Sequence, residues 1–319
     1  MQNKPMQQAE HIGFLLIPEF SMFSFCMMIE PLRMANHLSG EELYRWSIYT
    51  QDDEGVSASN KIPFFPTQKR QDYDDLDSLF VIAGLVSRQR DTLQAIEWLK
   101  KLARKKVQLG ATSVGTEVLA NAGLLKDKVC TIHWQHRDSL LEKYPELHVT
   151  TELYEIGQDI ITCSGGLAGL DLMLQLITKS HGLDLAQEVA ELYVHSQIRQ
   201  SNNSQRMKLT DKYKTNHPRL IQALRLMRNN TEEVMSCAEI SEMVGLSTRQ
   251  MERLFKTHIK LKPKAYYMNI RLDKARYLLE QSNLSILEVG VACGFNSTSY
   301  FSRCYRKYFG INPSEVRKS

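Results

Sequence analysis

The sequence lacks the features that mark membrane and secreted proteins. No apolar run reaches the roughly 18 residues of a membrane span, and residues 1–10 are polar, without the apolar core of a signal peptide. The six cysteines include no C-x-x-C pair and are too few in 319 residues to form a disulfide framework. His133 and His136 have no further ligands at metal spacing, so we expect neither zinc nor a cofactor. These absences predict a cytoplasmic protein.

The sequence has instead a strong asymmetry of charge. Residues 1–204 contain 19 basic and 26 acidic side chains, whereas residues 205–319 contain 21 basic and 10 acidic ones. The overall net charge of +4 conceals this difference. Such a split predicts an acidic module joined to a module that binds nucleic acid or a membrane surface. The length of 319 residues is also that of two typical domains.

The first module alternates strand-like and helix-like segments. Short apolar runs such as I-G-F-L-L-I are typical of buried strands, and apolar residues spaced by three and four indicate helices. The predicted strands are 12–17, 44–50, 79–83 and 107–111, with a hairpin of 153–156 and 159–162. The predicted helices are 22–36, 93–99, 117–125, 167–180 and 184–199. This alternation predicts an α/β fold with flavodoxin-like layers and a mainly parallel sheet.

A polar segment separates the two modules. Residues 200–215 have little apolar content and no clear period, which indicates a linker between domains 1–199 and 216–319. The leucines within residues 167–199 exceed what one helix face must bury, which predicts dimerisation there; alternatively, they only cover the sheet. The side chains concerned are Leu170, Leu172, Leu174, Leu176 and Ile177.

The second module is all-helical in pattern and contains an internal repeat. A short helix leads into a turn at Gly245, and Ser247 is placed to cap the next helix. The pattern recurs around Gly294. The inner faces of the second helices carry Met251, Leu254, Phe255 and Ile259 in one copy and Phe301, Cys304, Tyr305 and Tyr308 in the other. The outer faces carry Arg249, Arg253 and Lys256, and Ser299, Arg303 and Arg306. Two helices joined by a glycine-containing turn, the second with a basic face, indicate a helix-turn-helix.

A long amphipathic helix at residues 264–281 connects the two copies. At about 1.5 Å per residue it spans roughly 27 Å. With the offset of the flanking helices, the two recognition helices are expected about 34 Å apart, one turn of DNA. One chain is therefore expected to reach two successive major grooves on one face of the duplex.

Residues 220–316 resemble the AraC/XylS-type DNA-binding domain. The resemblance rests on A-E-I-S-E-M-V-G-L-S-T-R-Q-M-E-R-L-F-K, on R-x-x-x-A-R-x-L-L at residues 271–279 and on G-F-N-S-T-S-Y-F-S-R-C-Y-R-K-Y-F-G-I-N-P-S-E-V-R. It implies recognition helices at residues 248–257 and 297–307, with the remaining basic side chains on phosphates. The implied base-reading residues are Arg249, Gln250 and Arg253 in the first copy and Asn296, Ser299 and Arg303 in the second. Alternatively, these arginines only solvate a helix face, or Arg303 braces its own domain.

Residues 11–180 resemble the PfpI-type, glutamine-amidotransferase-like domain. The resemblance rests on I-G-F-L-L-I-P, V-I-A-G-L, the turn G-A-T-S-V-G and the tripeptide I-H-W. Enzymatic relatives have a nucleophilic Cys on a strand-to-helix elbow, a His beside it and an acidic residue near the first helix. Here Ser113 takes the Cys position, Ser24 takes the acidic position, and only His133 remains. The elbow is therefore expected to have lost catalysis and to hold an effector.

Residues 23–46 and 57–60 resemble a narrower group, the regulators of glycine betaine, dimethylglycine and carnitine catabolism. The sequence departs from that group where it has D-E-G at 53–55 and N-K at 60–61 instead of D-G and S-N-G turns. The resemblance implies a methylated or quaternary amine, which an aromatic cage and a carboxylate would bind. The candidate ligand-binding residues are Phe20, Phe23, Glu30, Trp46, Ser113, His133 and Trp134. Alternatively, the aromatic residues are core and Glu30 pairs with Arg33.

These features predict a sequence-specific transcriptional regulator, most simply an activator, that binds promoter DNA and a small metabolite. We expect it to form a homodimer, to contact RNA polymerase and to have no catalytic activity. Two other classes stay open. One is a PfpI-like hydrolase with a DNA-binding tail, in which Ser113 and His133 react as a pair. The other is a constitutive architectural DNA binder without a ligand.

Overall fold

The computed structural model describes residues 8–73, 75–84, 92–282 and 284–316, except the side chain of Gln281. The N-terminal residues 1–7, Leu85 of the V-I-A-G-L motif and Arg317 of the C-terminal motif lie outside the described residues. The chain divides into two compact units, Met1–Gln205 and Arg206–Ser319. The division falls inside the segment 200–215 that the sequence indicates as a linker.

A six-stranded sheet forms the centre of the first unit. The strands are β1 (Glu10–Leu16), β2 (Tyr44–Thr50), β3 (Val56–Ser57), β4 (Pro63–Phe64), β5 (Ser78–Ile82), β6 (Gln108–Thr112), β7 (Val129–Thr131), β8 (His148–Thr150), β9 (Tyr154–Ile156) and β10 (Ile160–Cys163). The sheet order is β2-β1-β5-β6-β10-β9, and every neighbour is parallel except the antiparallel hairpin of β9 and β10. Strands β3 and β4 pair separately, as do β7 and β8. The predicted α/β class with a mainly parallel sheet is confirmed.

Continuous apolar runs explain why the central strands carry no polar face. Every side chain of β5 is buried, and in β1 only Glu10 is partly exposed. On one face of the sheet Val81 packs in a core with Leu99, and on the other Phe14 packs in a core with Leu172. A parallel sheet with helices on both sides requires this pattern, because neither face contacts water.

The five predicted helices of the first unit are present. The helices observed are α1 (Met22–Ser39), α2 (Leu93–Arg104), α3 (Gly115–Asn121), α4 (Arg137–Lys143), α5 (Leu167–His181) and α6 (Leu183–Leu192). The helix predicted at 117–125 ends at Asn121, α4 was not predicted, and the largest difference is at the last helix. The last helix ends at Leu192 and not at the predicted residue 199. The carboxylate of Asp171, fully buried in α5, bonds His195 Nε2 at 2.9 Å and accepts from the Arg199 backbone N–H at 2.8 Å. These bonds hold the chain after α6 in a non-helical path.

The leucines that predicted dimerisation are part of the core. Four of the five side chains are buried against the sheet and the fifth, Leu176, packs partly against the same core. This corrects the basis of that prediction: the leucines cover the sheet. The buried members are Leu170, Leu172, Leu174 and Ile177. Exposed apolar side chains occur instead at Leu183 and Leu192 on α6.

The second unit consists of helices arranged around two small cores. Its elements are α7 (Leu209–Tyr213), α8 (Pro218–Asn229), α9 (Cys237–Met243), α10 (Thr248–Leu254), a π-helical turn (Phe255–Ile259), α11 (Pro263–Gln281), α12 (Ile286–Ala292), α13 (Thr298–Phe309) and α14 (Pro313–Val316). Met251 and Phe255 lie in the first core, and Phe301 and Tyr305 lie in the second. Each copy of the repeat therefore has its own hydrophobic centre.

Three details of the second unit differ from the sequence-based predictions. The first recognition helix is α-helical only to Leu254 and continues as the π-helical turn, not as an α-helix to 257. Tyr308, predicted inward, is 42% exposed. Helix α7 lies within the predicted linker and packs Leu209 and Tyr213 against the first core. No helix among the described residues is long and apolar enough to span a membrane.

Candidate ligand site and nucleic-acid interface

A strained turn joins β6 to α3 and carries Ser113. The backbone of Ser113 has φ +54°, a left-handed conformation that costs a non-glycine residue about 1–2 kcal/mol. Its N–H donates to the carbonyl of Cys163 at 2.8 Å, which ties the turn to the neighbouring strand β10. The helix begins at Gly115, where any Cβ would lie 2.5 Å from the Val81 carbonyl. This is the elbow that the motif G-A-T-S-V-G predicts.

Two consecutive glycines bring three candidate residues together at the elbow. A Cβ on Gly165 would lie 2.9 Å from the Cβ of Ser113, and the Gly166 N–H donates to Ser24 Oγ at 2.9 Å. The ring of Phe23 lies 3.9 Å from where a Gly166 Cβ would be, and this side chain is 53% exposed. Ser24 thus uses its hydroxyl on a backbone amide at the position where enzymatic relatives have an acid.

His133 lies two residues beyond the end of β7, the strand whose last residue, Thr131, contacts the start of α3. Thr116, in the first turn of α3, donates from Oγ1 to the Thr131 carbonyl at 2.9 Å. Burial lowers the pKa of His133, so its imidazole is neutral at neutral pH. Its Nδ1 accepts from the backbone N–H of Gln135 at 3.4 Å, and the ring of Trp134 lies 5.5 Å away. Trp134 is 39% exposed.

The elbow lacks an activated nucleophile among the described residues. No hydrogen bond joins Ser113 to His133, and no carboxylate orients the His133 ring in this part of the chain. The thiol nearest the turn is that of Cys163, whose pKa burial raises to about 12. A thiol with a raised pKa stays protonated and is a poor nucleophile. No group of three or more His, Cys, Asp and Glu side chains is placed to bind a metal within the described ranges.

The structure does not assemble the predicted aromatic cage. Phe20 is fully buried, with its ring packed edge-on against Phe25 and Phe64, so it belongs to the core; this corrects the prediction. Trp46 pairs with Ile12 on the edge strand β2, about 14 Å across the sheet and about 13 Å along the strands from the elbow.

Glu30 is also separated from the elbow and already has partners. It lies on α1 two helical turns beyond Phe23 and forms an ion pair with Arg33 at 2.7 Å. Tyr193 donates to the backbone carbonyl of Glu30 at 2.9 Å. The alternative that Glu30 pairs with Arg33 is therefore the arrangement observed. Of the seven candidate ligand residues, Ser113 lies in the elbow and Phe23 beside Gly166, whereas His133 and Trp134 follow the strand end that Thr116 of α3 contacts.

The first recognition helix presents an exposed basic face. Ser247 caps α10, accepting from the Gln250 N–H at 3.2 Å while Gln250 Oε1 accepts from the Ser247 N–H at 2.8 Å. This reciprocal cap uses the acceptor of the Gln250 amide, so its predicted adenine contact competes with the cap. Arg249 and Arg253 are exposed on the same face. The concave surface beside them is also lined by Lys256, Lys260 and Lys262.

The second recognition helix is longer and capped at its start. Ser297 accepts from the Tyr300 N–H at 3.4 Å, and the helix α13 then runs without interruption to Phe309. Asn296, Ser299 and Arg303 are exposed. The guanidinium of Arg303 lies over its neighbour Tyr300, 5.5 Å from the ring centre, and among the described contacts it braces no other element. Connecting helix α11 has 19 residues and is about 28 Å long.

Two arginines that the site prediction omitted hold the turns of the two copies. Arg219 donates to the Gly245 carbonyl at 2.6 Å. Arg271 donates to the carbonyls of Cys293 and Gly294 at 2.8 and 2.7 Å. Arg271 begins the R-x-x-x-A-R-x-L-L motif, which was the available signal; nothing in the sequence distinguishes Arg219. Each recognition helix is thus positioned through the carbonyl of a glycine in its turn.

Comparisons with known proteins match both units. A family model described as a helix-turn-helix domain matches residues 240–319, and the model of the DJ-1/PfpI family matches residues 23–179. The HTH-type transcriptional regulator CdhR of Pseudomonas aeruginosa is 42% identical, over 97% of this chain and 92% of the relative. The regulator GbdR of the same species is 38% identical, over 97% of this chain and 84% of the relative.

A solved structure agrees with the fold of the first unit. The AraC family transcriptional regulator from Pseudomonas putida superposes with a TM-score of 0.54 at 26% identity, over 58% of this chain and 99% of that chain. Full-length similarity, the strained elbow and the duplicated helix-turn-helix agree with one another. The chain belongs to the AraC-type helix-turn-helix transcriptional regulators whose first domain has the DJ-1/PfpI fold.

Proposed function

We propose that this regulator activates transcription from promoters it binds through both recognition helices, in response to a small metabolite held at the elbow of its first unit. The observation that carries the proposal is the elbow itself. It keeps the strained backbone of a nucleophile turn but has Ser113 and Ser24 where chemistry would need a thiolate and an acid. An elbow that keeps its backbone conformation without its reacting groups is suited to binding a ligand, not to catalysis.

The effector we propose is a methylated or quaternary amine. Its support is the two exposed aromatic side chains Phe23 and Trp134, together with the neutral imidazole of His133. Aromatic faces attract such cations electrostatically. Ser113 and Ser24 are uncharged, and the neutral imidazole of His133 adds no positive charge that would repel a cation.

On the DNA side, Arg249, Arg253 and Arg303 are proposed to read guanines, and Asn296 to read adenine. Lys256, Lys260 and Lys262 are proposed to contact phosphate, because they line the same concave surface without facing a base-reading position. We further propose cytoplasmic action, contact with RNA polymerase and a homodimer; the exposed Leu183 and Leu192 support self-association.

A thermal-shift screen of the full chain against methylated amines, amino acids and polyamines tests the sensing proposal. We expect glycine betaine or dimethylglycine to raise the melting temperature of the wild type and of Phe65→Ala, which changes an exposed aromatic residue outside the elbow. Phe23→Ala should lose most of that shift. If no compound in any class stabilises the protein and it activates its promoter without a ligand, constitutive DNA binding replaces the proposal.

Hydrolysis is the second candidate, because Ser113 does occupy a strained elbow. Ester and peptide substrates are assayed with the wild type and Ser113→Ala. We expect no turnover above background in either protein, since no base or orienting acid among the described residues bonds Ser113. Turnover that disappears in Ser113→Ala would instead identify a hydrolase.

A further inference from the structure

The segment that leaves the first unit is fastened to the strand end that carries His133. Gln205, the last residue of that unit, donates from Nε2 to the Ile132 carbonyl at 3.1 Å, to Thr131 Oγ1 at 3.1 Å and to the Glu152 carbonyl at 2.7 Å. Ile132 directly precedes His133. The chain that continues into the DNA-binding unit therefore starts beside the elbow.

A short chain of bonds leads from the elbow to this attachment. Helix α3 begins two residues after Ser113, and Thr116 in its first turn donates to the Thr131 carbonyl within the buried interior. Thr131 in turn accepts from Gln205. A displacement of α3 or of the His133 segment is thus passed to Gln205 through two hydrogen bonds.

The attachment combines favourable hydrogen bonds with unpartnered buried acceptors. The amide group of Gln205 has two hydrogens for its three acceptors, so one hydrogen is shared. Gln205 Oε1 and Glu152 Oε2 are both buried without a hydrogen-bond partner among the described residues. A buried acceptor without a donor opposes the attached state. A change at the elbow that weakens these bonds therefore shifts the population from the attached towards the released form.

We infer that Gln205 is a latch, which a ligand at the elbow releases and thereby frees the chain leading to the DNA-binding unit. This inference rests on the proposed sensing function. Upstream, the Ser201 carbonyl accepts from the Leu153 N–H at 2.8 Å, and the Asn203 N–H donates to the Gln200 carbonyl at 3.0 Å. Release of Gln205 removes the attachment of this segment to the end of β7. The ligand thereby changes how freely the DNA-binding unit moves, without contacting that unit.

Limited trypsin digestion of the full chain tests the latch without a ligand. Cleavage after Arg206 and Lys208 reports release, and cleavage after Lys101 in α2 reports general unfolding. Gln205→Ala should speed the first cleavage about fivefold, the factor that one net hydrogen bond represents. Asn202→Ala, an exposed change in the same segment, is the matched control. Equal rates in the two variants would overturn the latch.

The link to the elbow is tested with Thr116→Val and Thr116→Ser. The valine variant removes the bond to Thr131 and should change the rate of cleavage after Arg206 and Lys208. The serine variant keeps the hydroxyl and should be cleaved at the wild-type rate. Equal behaviour of the two variants, with cleavage after Lys101 unchanged, would show that the elbow does not reach the latch.

The effect of a ligand on the latch is tested with glycine betaine and dimethylglycine at millimolar concentration. A compound that stabilises the wild type should speed its cleavage after Arg206 and Lys208, and should leave the already fast Gln205→Ala unchanged. A stabilising compound that does not change wild-type cleavage overturns the latch. If neither compound stabilises the protein, the amine proposal fails, and the variants without ligand still decide the latch.

Discussion

The two helix-turn-helix copies share a sequence pattern but hold their turns in different ways. In the first copy the exposed Arg219 reaches the Gly245 carbonyl from the surface. In the second, Arg271 is 8% exposed, bonds two carbonyls of the turn and lies 4.3 Å from the ring centre of Phe295. The turn is a surface feature in one copy and part of the core in the other.

The recognition helices of the two copies also differ, in length and in regularity. Helix α13 of the second copy is a regular helix of 12 residues with an aromatic inner face. Helix α10 of the first copy has seven residues, after which a π-helical turn carries Lys256. Each recognition segment carries three Lys or Arg side chains, but the first copy holds them on a shorter and less regular support. The two copies share the motif and its charge and differ in the regularity of the helix.

The largest effect is expected from Arg271→Ala. The change removes two charge-assisted hydrogen bonds and leaves the Cys293 and Gly294 carbonyls without their donor, which should cost about 3 kcal/mol of unfolding free energy. Urea unfolding of the full chain measures the loss. Arg271→Lys keeps the charge but not the planar group that donates to both carbonyls. Its free energy of unfolding should therefore lie between those of the wild type and Arg271→Ala. Wild-type stability in Arg271→Ala would remove the main difference between the copies.

A matched pair of glycine substitutions sharpens the comparison. Gly245 and Gly294 have φ +67° and +72°, so alanine at either costs about 1–2 kcal/mol of backbone strain. A Cβ at Gly294 would also lie 2.7 Å from the Glu232 carbonyl and clash with Val234, whereas at Gly245 nothing lies closer than 3.8 Å. Gly294→Ala should therefore be the more destabilising by thermal melting. Equal losses would show that the second turn is not confined.

On DNA, the single-arginine changes should each weaken one groove contact. Arg253→Ala and Arg303→Ala are expected to cost about 1–3 kcal/mol of operator affinity and to relax specificity at one position each. Operator affinity is measured by gel shift at several salt concentrations. Lys260→Ala should instead weaken all sequences alike and flatten the salt dependence. If neither arginine change alters affinity, the outer faces of α10 and α13 are not the reading faces.

The smallest effect is expected from Arg219→Ala. Its bond to Gly245 lies in solvent, where the lost interaction is replaced by water and should cost at most about 1 kcal/mol. Urea unfolding of Arg219→Ala and Arg271→Ala, measured in parallel, compares the two losses of unfolding free energy. A loss as large as that of Arg271→Ala would contradict the contrast between a surface brace and a buried one.

Local pattern accounts for most of the fold but for less of the ligand site. The strand 44–50 was predictable to the residue because alternation and β-formers coincide there. The early end of α6 was not, since it depends on Asp171 bonding residues more than twenty positions later. The prediction of an aromatic cage was wrong for the same reason. Trp46 and Phe20 are placed by strand order and core packing, which no local spacing in the sequence records.

Hydroxyl-radical footprinting of the full chain tests the central claim most directly, on a DNA fragment selected by the protein from a random library. The account predicts two protected segments about 10.5 base pairs apart on one face of the duplex. Arg253→Ala should weaken one segment and Arg303→Ala the other. A single protected segment, or two that both variants weaken equally, would contradict a chain that reads successive grooves with its two copies.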